Sequence, residues 1–327
     1  MLILSRHDVE SLLTMPAAIA AVEEGFRQLA QGHVVMPQRA ATPIAPHAGL
    51  HLSMPAFVGG EPGTLTIKIV TVYSENERRF GLPTIQGMLL LYDARNGRLL
   101  AMMDAEYLTA VRTGAASGVA TKYLARPDAA TLLLFGAGAL APQQVAAVCA
   151  VRPIRRVLVI TKTGEKDAQF CREMASSLGI EVESTRDVHL ATHQADIICT
   201  ATNSSEPLFD GNWLKPGTHI NAVGAYTSTM REVDATTLQR SRVFVDYHAA
   251  AQAEAGDLLI PIANQEWTYD QVAGELGAVI NGDSVGRTHA NEITLFKSVG
   301  LALQDAVTAA GIYALAVERA VGQVVEL

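Results

Sequence analysis

Cysteine is scarce in this chain of 327 residues: Cys149, Cys171 and Cys199 are widely spaced and form no CxxC pair. They suggest neither a disulfide framework nor a thiolate metal cage, and a reducing cytoplasm is the simplest compartment. Positive charge is short as well, with 25 lysines and arginines against 33 aspartates and glutamates and a formal charge of -8. Without a basic field, neither nucleic acid nor a membrane surface is an expected partner, and a small molecule is. No apolar run reaches membrane-spanning length, and Met1-Leu2-Ile3-Leu4 turns polar at Ser5, Arg6 and Asp8. That is too early for the core of a signal peptide, so the mature chain is expected to begin at Met1. No GxSxG nucleophile motif occurs, and His189 and His193, four apart on an expected helix, have no evident third ligand; no metal site is expected.

What the chain does have is apolar mass. Hydrophobic residues make up 49% and charged residues 18%, enough to bury a large core, and the length suggests two domains. Residues 16–30 place Ala17, Ile19, Ala20, Val22, Phe26 and Leu29 at helical spacing, with Gly32 as the stop. Residues 40–103 hold short β-rich runs punctuated by Pro55, Gly59-Gly60, Pro62-Gly63, Gly81, Pro83 and the hairpin signal Asn96-Gly97, an antiparallel portion. Asp104 can cap a small-residue helix that runs to Leu124 before Arg126-Pro127 breaks it. From there, apolar strands at 131–135, 156–161, 180–184, 197–200, 219–223 and 243–246, most of them separated by helix-length segments, signal a parallel sheet with crossovers. The expected architecture is α/β: a Rossmann doubly wound parallel sheet over residues 126–295, and a second α/β domain over residues 1–125. Residues 294–321 read as an alanine-rich helix, with 296–327 returning to that second domain.

The run Thr131-Leu132-Leu133-Leu134-Phe135 leads directly into Gly136-Ala137-Gly138-Ala139-Leu140-Ala141, and a helical pattern follows. In a dinucleotide-binding turn the first glycine permits the tight bend, the second lets backbone approach the pyrophosphate, and the third position needs a small residue for packing, here Ala141. The helix start then offers unpaired N–H groups to the anion, and Pro142 is tolerated in a first turn. NAD-preferring sites usually end the second strand in a carboxylate, whereas this one ends Ile160-Thr161-Lys162-Thr163. Lys162 with Thr161, Thr163 and Lys166 suits a 2′-phosphate, so NADP(H) is expected over NAD(H); the alternative is a solvated loop lysine and NAD(H).

Lys68 interrupts the apolar run Leu65-Thr66-Ile67-Lys68-Ile69-Val70-Thr71-Val72. Buried, it needs an anionic partner or a depressed pKa; on an edge strand, it would merely discourage aggregation. Arg112 interrupts the small-residue helix, and Arg39 follows Met36-Pro37-Gln38. Together the three suggest a site for a carboxylate.

Several stretches resemble the ornithine cyclodeaminase/mu-crystallin family, in order and over nearly the whole chain. They are Thr66-Ile67-Lys68-Ile69-Val70-Thr71, Arg112-Thr113-Gly114-Ala115-Ala116-Ser117, Gly136-Ala137-Gly138, Asn221-Ala222-Val223-Gly224-Ala225 with Arg231-Glu232, and Thr294-Leu295-Phe296-Lys297-Ser298 with Gly300. The resemblance implies a second domain built from both chain ends that binds substrate and dimerises, giving a homodimer. It implies that Arg39, Lys68 and Arg112 bind the substrate carboxylate, that Thr113 helps hold the cofactor phosphates, and that Lys297 and Ser298 lie near the nicotinamide. The expected cofactor set also takes in Thr200, Ala201, Thr202 and Val223.

One departure bears on the reaction. Cyclodeaminases and the related archaeal alanine dehydrogenases carry an aspartate soon after the Val-Gly step, where this sequence has Tyr226. A phenol with a reference pKa near 10 is no carboxylate-like base at neutral pH. Members without the aspartate look like ketimine reductases acting on cyclic imino acids such as Δ1-pyrroline-2-carboxylate and Δ1-piperideine-2-carboxylate, which is the expected activity. Two alternatives stand beside it: an ornithine cyclodeaminase or alanine-dehydrogenase-type enzyme, and a non-catalytic NADPH-binding protein of the crystallin kind.

Overall fold

Runs that are apolar on both faces fold into strands covered on both faces. In Thr131–Phe135, Leu133 and Phe135 enter one buried cluster while Leu132 and Leu134 enter another, and Arg156–Ile160 divides its side chains the same way. The period of two explains the division, since successive side chains leave a strand on opposite sides. The computed structural model describes every residue except Pro62, Lys166 and Leu327, and falls into two units, Met1–Arg112 with Ala302–Leu327, and Thr113–Leu301.

The larger unit holds an eight-stranded parallel sheet. From one edge to the other its strands are Glu181–Ser184, Arg156–Ile160, Thr131–Phe135, Ile197–Thr200, His219–Ala222, Ile293–Lys297, Ser241–Val245 and Val272–Glu275. The chain builds outward from Thr131–Phe135 on one side, then returns to start the other side at Ile197–Thr200. This reversal is the switch point at which doubly wound sheets place their ligands.

Two elements differ from the sequence reading. Residues 294–321 are not one helix: Ile293–Lys297 is a strand inserted between two earlier strands, and helix begins only at Ala302. A short apolar run next to an alanine-rich one has no periodicity of its own to separate strand from helix. The edge strand Val272–Glu275 was not anticipated, because Gly274 and Glu275 are poor strand formers. The boundaries move accordingly, to 112/113 and 301/302 in place of 125/126 and 295/296. The first falls inside the continuous helix Glu106–Leu124, and the second leaves the inserted strand with its sheet.

The smaller unit has a mixed sheet ordered Gln323–Val324, Leu2–Leu4, Leu99–Asp104, Ile85–Tyr92, Thr64–Tyr73, Gly49–Val58 and Val34–Val35, with Ala40–Ile44 also on Gly49–Val58. Among the described residues only Leu2–Leu4 with Leu99–Asp104 is parallel. The helix Ala302–Arg319 packs on the three strands between 49 and 92 and on the helix Met15–Ala30, which buries Ala18, Ile19, Val22, Gly25 and Phe26. Gly25 permits the close approach: a Cβ there would lie 2.7 Å from Leu303 Cδ1. Both chain ends therefore build this unit.

Candidate active site

Thr64–Tyr73 turns Thr66, Lys68 and Val70 to its buried face, and it has a partner strand on each side. Lys68 is thus no edge-strand lysine; it is 2% exposed and needs an anion. Asp305, in the first turn of Ala302–Arg319, supplies one: the Lys68 ammonium lies 3.0 Å from its Oδ1 and 2.8 Å from its Oδ2, with Thr109 Oγ1 at 3.3 Å. Arg112 shares that carboxylate, with Nε 2.9 Å from Oδ1 as an ion pair, while another of its N–H groups donates to Gln304 Oε1 at 2.5 Å. Burial brings the Lys68 pKa down to about 8, the positive charges of Arg112 and Arg39 push the same way, and Asp305 pulls it back. Lys68 and Arg112 therefore meet around one carboxylate, and Arg39 is near enough for its charge to act on Lys68. Neither Asp305 nor Gln304 was anticipated. Two buried cations facing a single carboxylate form a site suited to a second, incoming carboxylate.

In the parallel-sheet unit, Gly136 is needed twice over. Its φ of +104° lies in the glycine region, and a Cβ would stand 2.7 Å from Ala201 O. Gly138 differs: a Cβ there would meet no protein atom within 4 Å, so this glycine leaves room at the turn. Ala137, Ala139 and Leu140 complete the turn, and Ala141, fully buried, starts the helix Ala141–Val151. Leu140 makes no side-chain cap bond and Pro142 has no N–H, while the Ala141 N–H donates to Gly138 O at 3.0 Å and the Gln143 and Gln144 N–H groups donate to Leu140 O at 3.2 and 3.1 Å, so an anion would be met by the N–H groups of the turn before the helix. The residues present fit a dinucleotide pyrophosphate. Thr113 precedes Gly114, whose missing Cβ would lie 2.4 Å from Gln143 O, so this helix runs hard against the same first turn.

At the end of Arg156–Ile160 the structure corrects the expectation that no carboxylate is present. Asp167, the opening residue of Asp167–Leu178 and 3% exposed, accepts a hydrogen bond from Thr161 Oγ1. Arg186 binds it from the other side, donating to Asp167 Oδ2 at 3.1 Å and to Thr161 O at 2.6 Å. Lys162 and Thr163 are exposed beside this cluster, and Lys166 lies outside the described residues.

On the other half of the switch point, Thr200, Ala201, Thr202 and Val223 lie at or just beyond the ends of Ile197–Thr200 and His219–Ala222. The hydroxyls of Thr200 and Thr202 both donate to Glu232, at 2.8 Å. Lys297, fully buried, donates to Asp257 Oδ2 at 2.7 Å and Ala225 O at 2.5 Å. Ser298 Oγ donates to Asp246 Oδ2 at 2.7 Å, and the same oxygen accepts from the Val299 and Gly300 N–H groups. The polar ends of Lys297 and Ser298, expected beside the nicotinamide, are thus bonded within the protein. Burial raises the pKa of Glu232, with the Asp257 charge next in weight; burial also raises that of Asp246. Tyr226 is half-buried at the start of the following loop.

A parallel sheet with a glycine turn at its switch point, and a mixed-sheet unit holding a buried cation pair, define a two-unit α/β protein of the Rossmann type. The chain belongs to the ornithine cyclodeaminase/mu-crystallin family, whose model matches residues 1–320. A Δ1-pyrroline-2-carboxylate reductase from a Bacillus cereus strain is 37% identical over the full length of both chains. The structure of the Thermococcus litoralis Δ1-pyrroline-2-carboxylate reductase in complex with NADH and L-proline superposes with a TM-score of 0.96 at 40% identity, covering 99% of this chain and 100% of that one. An archaeal alanine dehydrogenase dimer with bound NAD superposes at 0.94 and 33% identity, over 100% and 99% of the two chains.

Proposed function

We propose that this protein reduces a cyclic ketimine carboxylate, Δ1-pyrroline-2-carboxylate or Δ1-piperideine-2-carboxylate, to L-proline or L-pipecolate. The observation that carries the reading is the pairing of Lys68 and Arg112 on the one carboxylate of Asp305. Reduction of the ring C=N needs a hydride at carbon and a proton at nitrogen, and a reduced nicotinamide, when bound, supplies the hydride. Arg112 and Arg39 hold the substrate carboxylate. Lys68 adds a third contact and, with a pKa near 8, keeps a proton available close to neutrality. Thr113, the first residue of the parallel-sheet unit, is proposed to hold the cofactor phosphates.

Gly136, Ala137, Gly138, Ala139 and Leu140 receive the pyrophosphate. NADP(H) is the proposed cofactor, because Lys162 is exposed at the strand end while the Asp167 carboxylate is engaged by Thr161 and Arg186. The two similar structures hold NADH and NAD, which favours NAD(H) as the second reading. The protein is proposed to act as a homodimer, as the similar alanine dehydrogenase is a dimer.

A second enzymatic reading, amino-acid dehydrogenation or cyclodeamination, is favoured by the likeness to that alanine dehydrogenase and opposed by Tyr226. One assay separates them: NADPH and NADH oxidation with Δ1-pyrroline-2-carboxylate, beside ammonia release from L-ornithine and NAD reduction with L-alanine. Turnover of the imine with none of the amino acids supports the proposal; ammonia from ornithine without imine reduction overturns it.

A further inference from the structure

Glu232 is fully buried, and both of its oxygens are given to the end of the strand Ile197–Thr200 and to the loops that follow it and His219–Ala222. Oε1 accepts from the Thr202 N–H at 2.7 Å and the Thr202 hydroxyl at 2.8 Å. Oε2 accepts from the Thr200 hydroxyl and the Gly224 N–H at 2.8 Å, and from the Ala225 N–H at 3.1 Å. Gly224 has no alternative to glycine here, since a Cβ would lie 2.3 Å from Thr202 O and 2.4 Å from Glu232 Oε1. The carboxylate is itself anchored. The Glu232 and Val233 N–H groups donate to Asp257 Oδ1 at 2.6 and 3.0 Å, and the other oxygen of Asp257 holds Lys297, which reaches back to Ala225 O. The network thus ties the carboxyl ends of Ile197–Thr200, His219–Ala222 and Ile293–Lys297, three neighbours in the sheet.

Those ends belong to the second half of the doubly wound sheet. A Rossmann fold seats a dinucleotide across two mononucleotide halves, with phosphates on the first strand–helix turn and the adenosine ribose at the end of the second strand. With the phosphates assigned to residues 136–140 and the adenosine side to Thr161 and Lys162, the half left for the nicotinamide is the one that Glu232 fixes. We propose that Glu232 is a positioning residue for the nicotinamide half of the cofactor, holding Thr200–Thr202 and Gly224–Ala225 in place through five hydrogen bonds while touching no ligand itself. A buried ion network is weak evidence of stabilisation, whereas its use in fixing a unique geometry is the better-attested role. The inference rests on the reading that this chain binds a nicotinamide dinucleotide.

The test is calorimetric titration of the full chain and of Glu232→Gln with NADPH, NADH and two fragments without nicotinamide, ADP-ribose and its 2′-phosphate. A glutamine must turn its NH2 towards either Thr202 or the Gly224–Ala225 pair, leaving donors there without an acceptor. Affinity for the preferred dinucleotide should fall roughly tenfold to a hundredfold, as expected for a displaced support, while the matching fragment binds within about twofold of wild type. Glu232→Asp, which keeps the charge but shortens the reach to the five donors, should show the same selective loss at about threefold. It decides the matter should Glu232→Gln not fold. Equal weakening of dinucleotide and fragment, or no loss, overturns the role of Glu232 alone. A wild-type chain that binds no dinucleotide overturns this role together with the dinucleotide reading.

Discussion

Each unit buries a cluster of charges, and the two are near opposites. In the mixed-sheet unit a lysine and an arginine share one carboxylate, that of Asp305. In the parallel-sheet unit one lysine, Lys297, sits with two carboxylates, Asp257 and Glu232, whose remaining acceptor capacity is taken up by backbone N–H groups and threonine hydroxyls. In the proposed function the first cluster keeps positive charge to offer an anion. The second is satisfied from within and holds loops in place. Buried charge is therefore no single signature: the two clusters differ in the ratio of cations to carboxylates and in who supplies the other donors, and on that difference rest the two roles proposed for them.

The largest effect that would break this contrast lies at Lys68. Lys68→Ala should lower kcat/KM for the imine by about 10²–10⁴-fold, read from NADPH oxidation, and a fully active variant would remove Lys68 from the reaction. Next, Asp305→Asn leaves two buried cations without their counter-charge and should destabilise the fold by about 3–5 kcal/mol in urea unfolding. Unchanged stability would mean that the cations do not depend on it. A pH profile is the third probe. Lys68 holds a carboxylate only as the ammonium, and its charged fraction falls as pH rises through about 8, so kcat/KM should decline above that pH by about tenfold per unit. Lys68→Arg, always charged, should lose that limb; a limb that persists in the variant belongs to another group. The smallest effect is at the strand end, where Lys162→Ala should raise the KM for NADPH roughly tenfold and leave that for NADH within about twofold. A wild-type preference for NADH would sink the 2′-phosphate assignment.

Much of this was legible in the sequence, and the misses share a cause. The glycine turn is local, so its strand, bend and helix could be read from adjacent residues. The apolar run around Lys68 left it open between a buried lysine that needs an anion and an edge-strand lysine, and Asp305, which decides it, is 237 positions away on a helix whose alanine-rich pattern gives no hint of it. Glu232 appeared only as half of Arg231-Glu232, without a role, because its partners are donors at a strand end and on two loops and its support comes from Asp257. Asp167 is not legible at the strand end because its side chain comes back to Thr161 from the next helix. Lys297 and Ser298 stand in the expected segment with their polar ends turned to Asp257 and Asp246: a family match locates a residue without saying which way it faces.

The strand Ile293–Lys297 also sets a timetable for the making of this protein. It lies between His219–Ala222 and Ser241–Val245, both synthesised well before it. Until it emerges from the ribosome, those two strands confront a gap with unpaired edges, the kind of surface that recruits other chains. The parallel-sheet unit cannot close early and wait; nearly the whole polypeptide must exist before its sheet is complete. Nascent chains stalled short of residue 293 should therefore depend on chaperones to stay in solution.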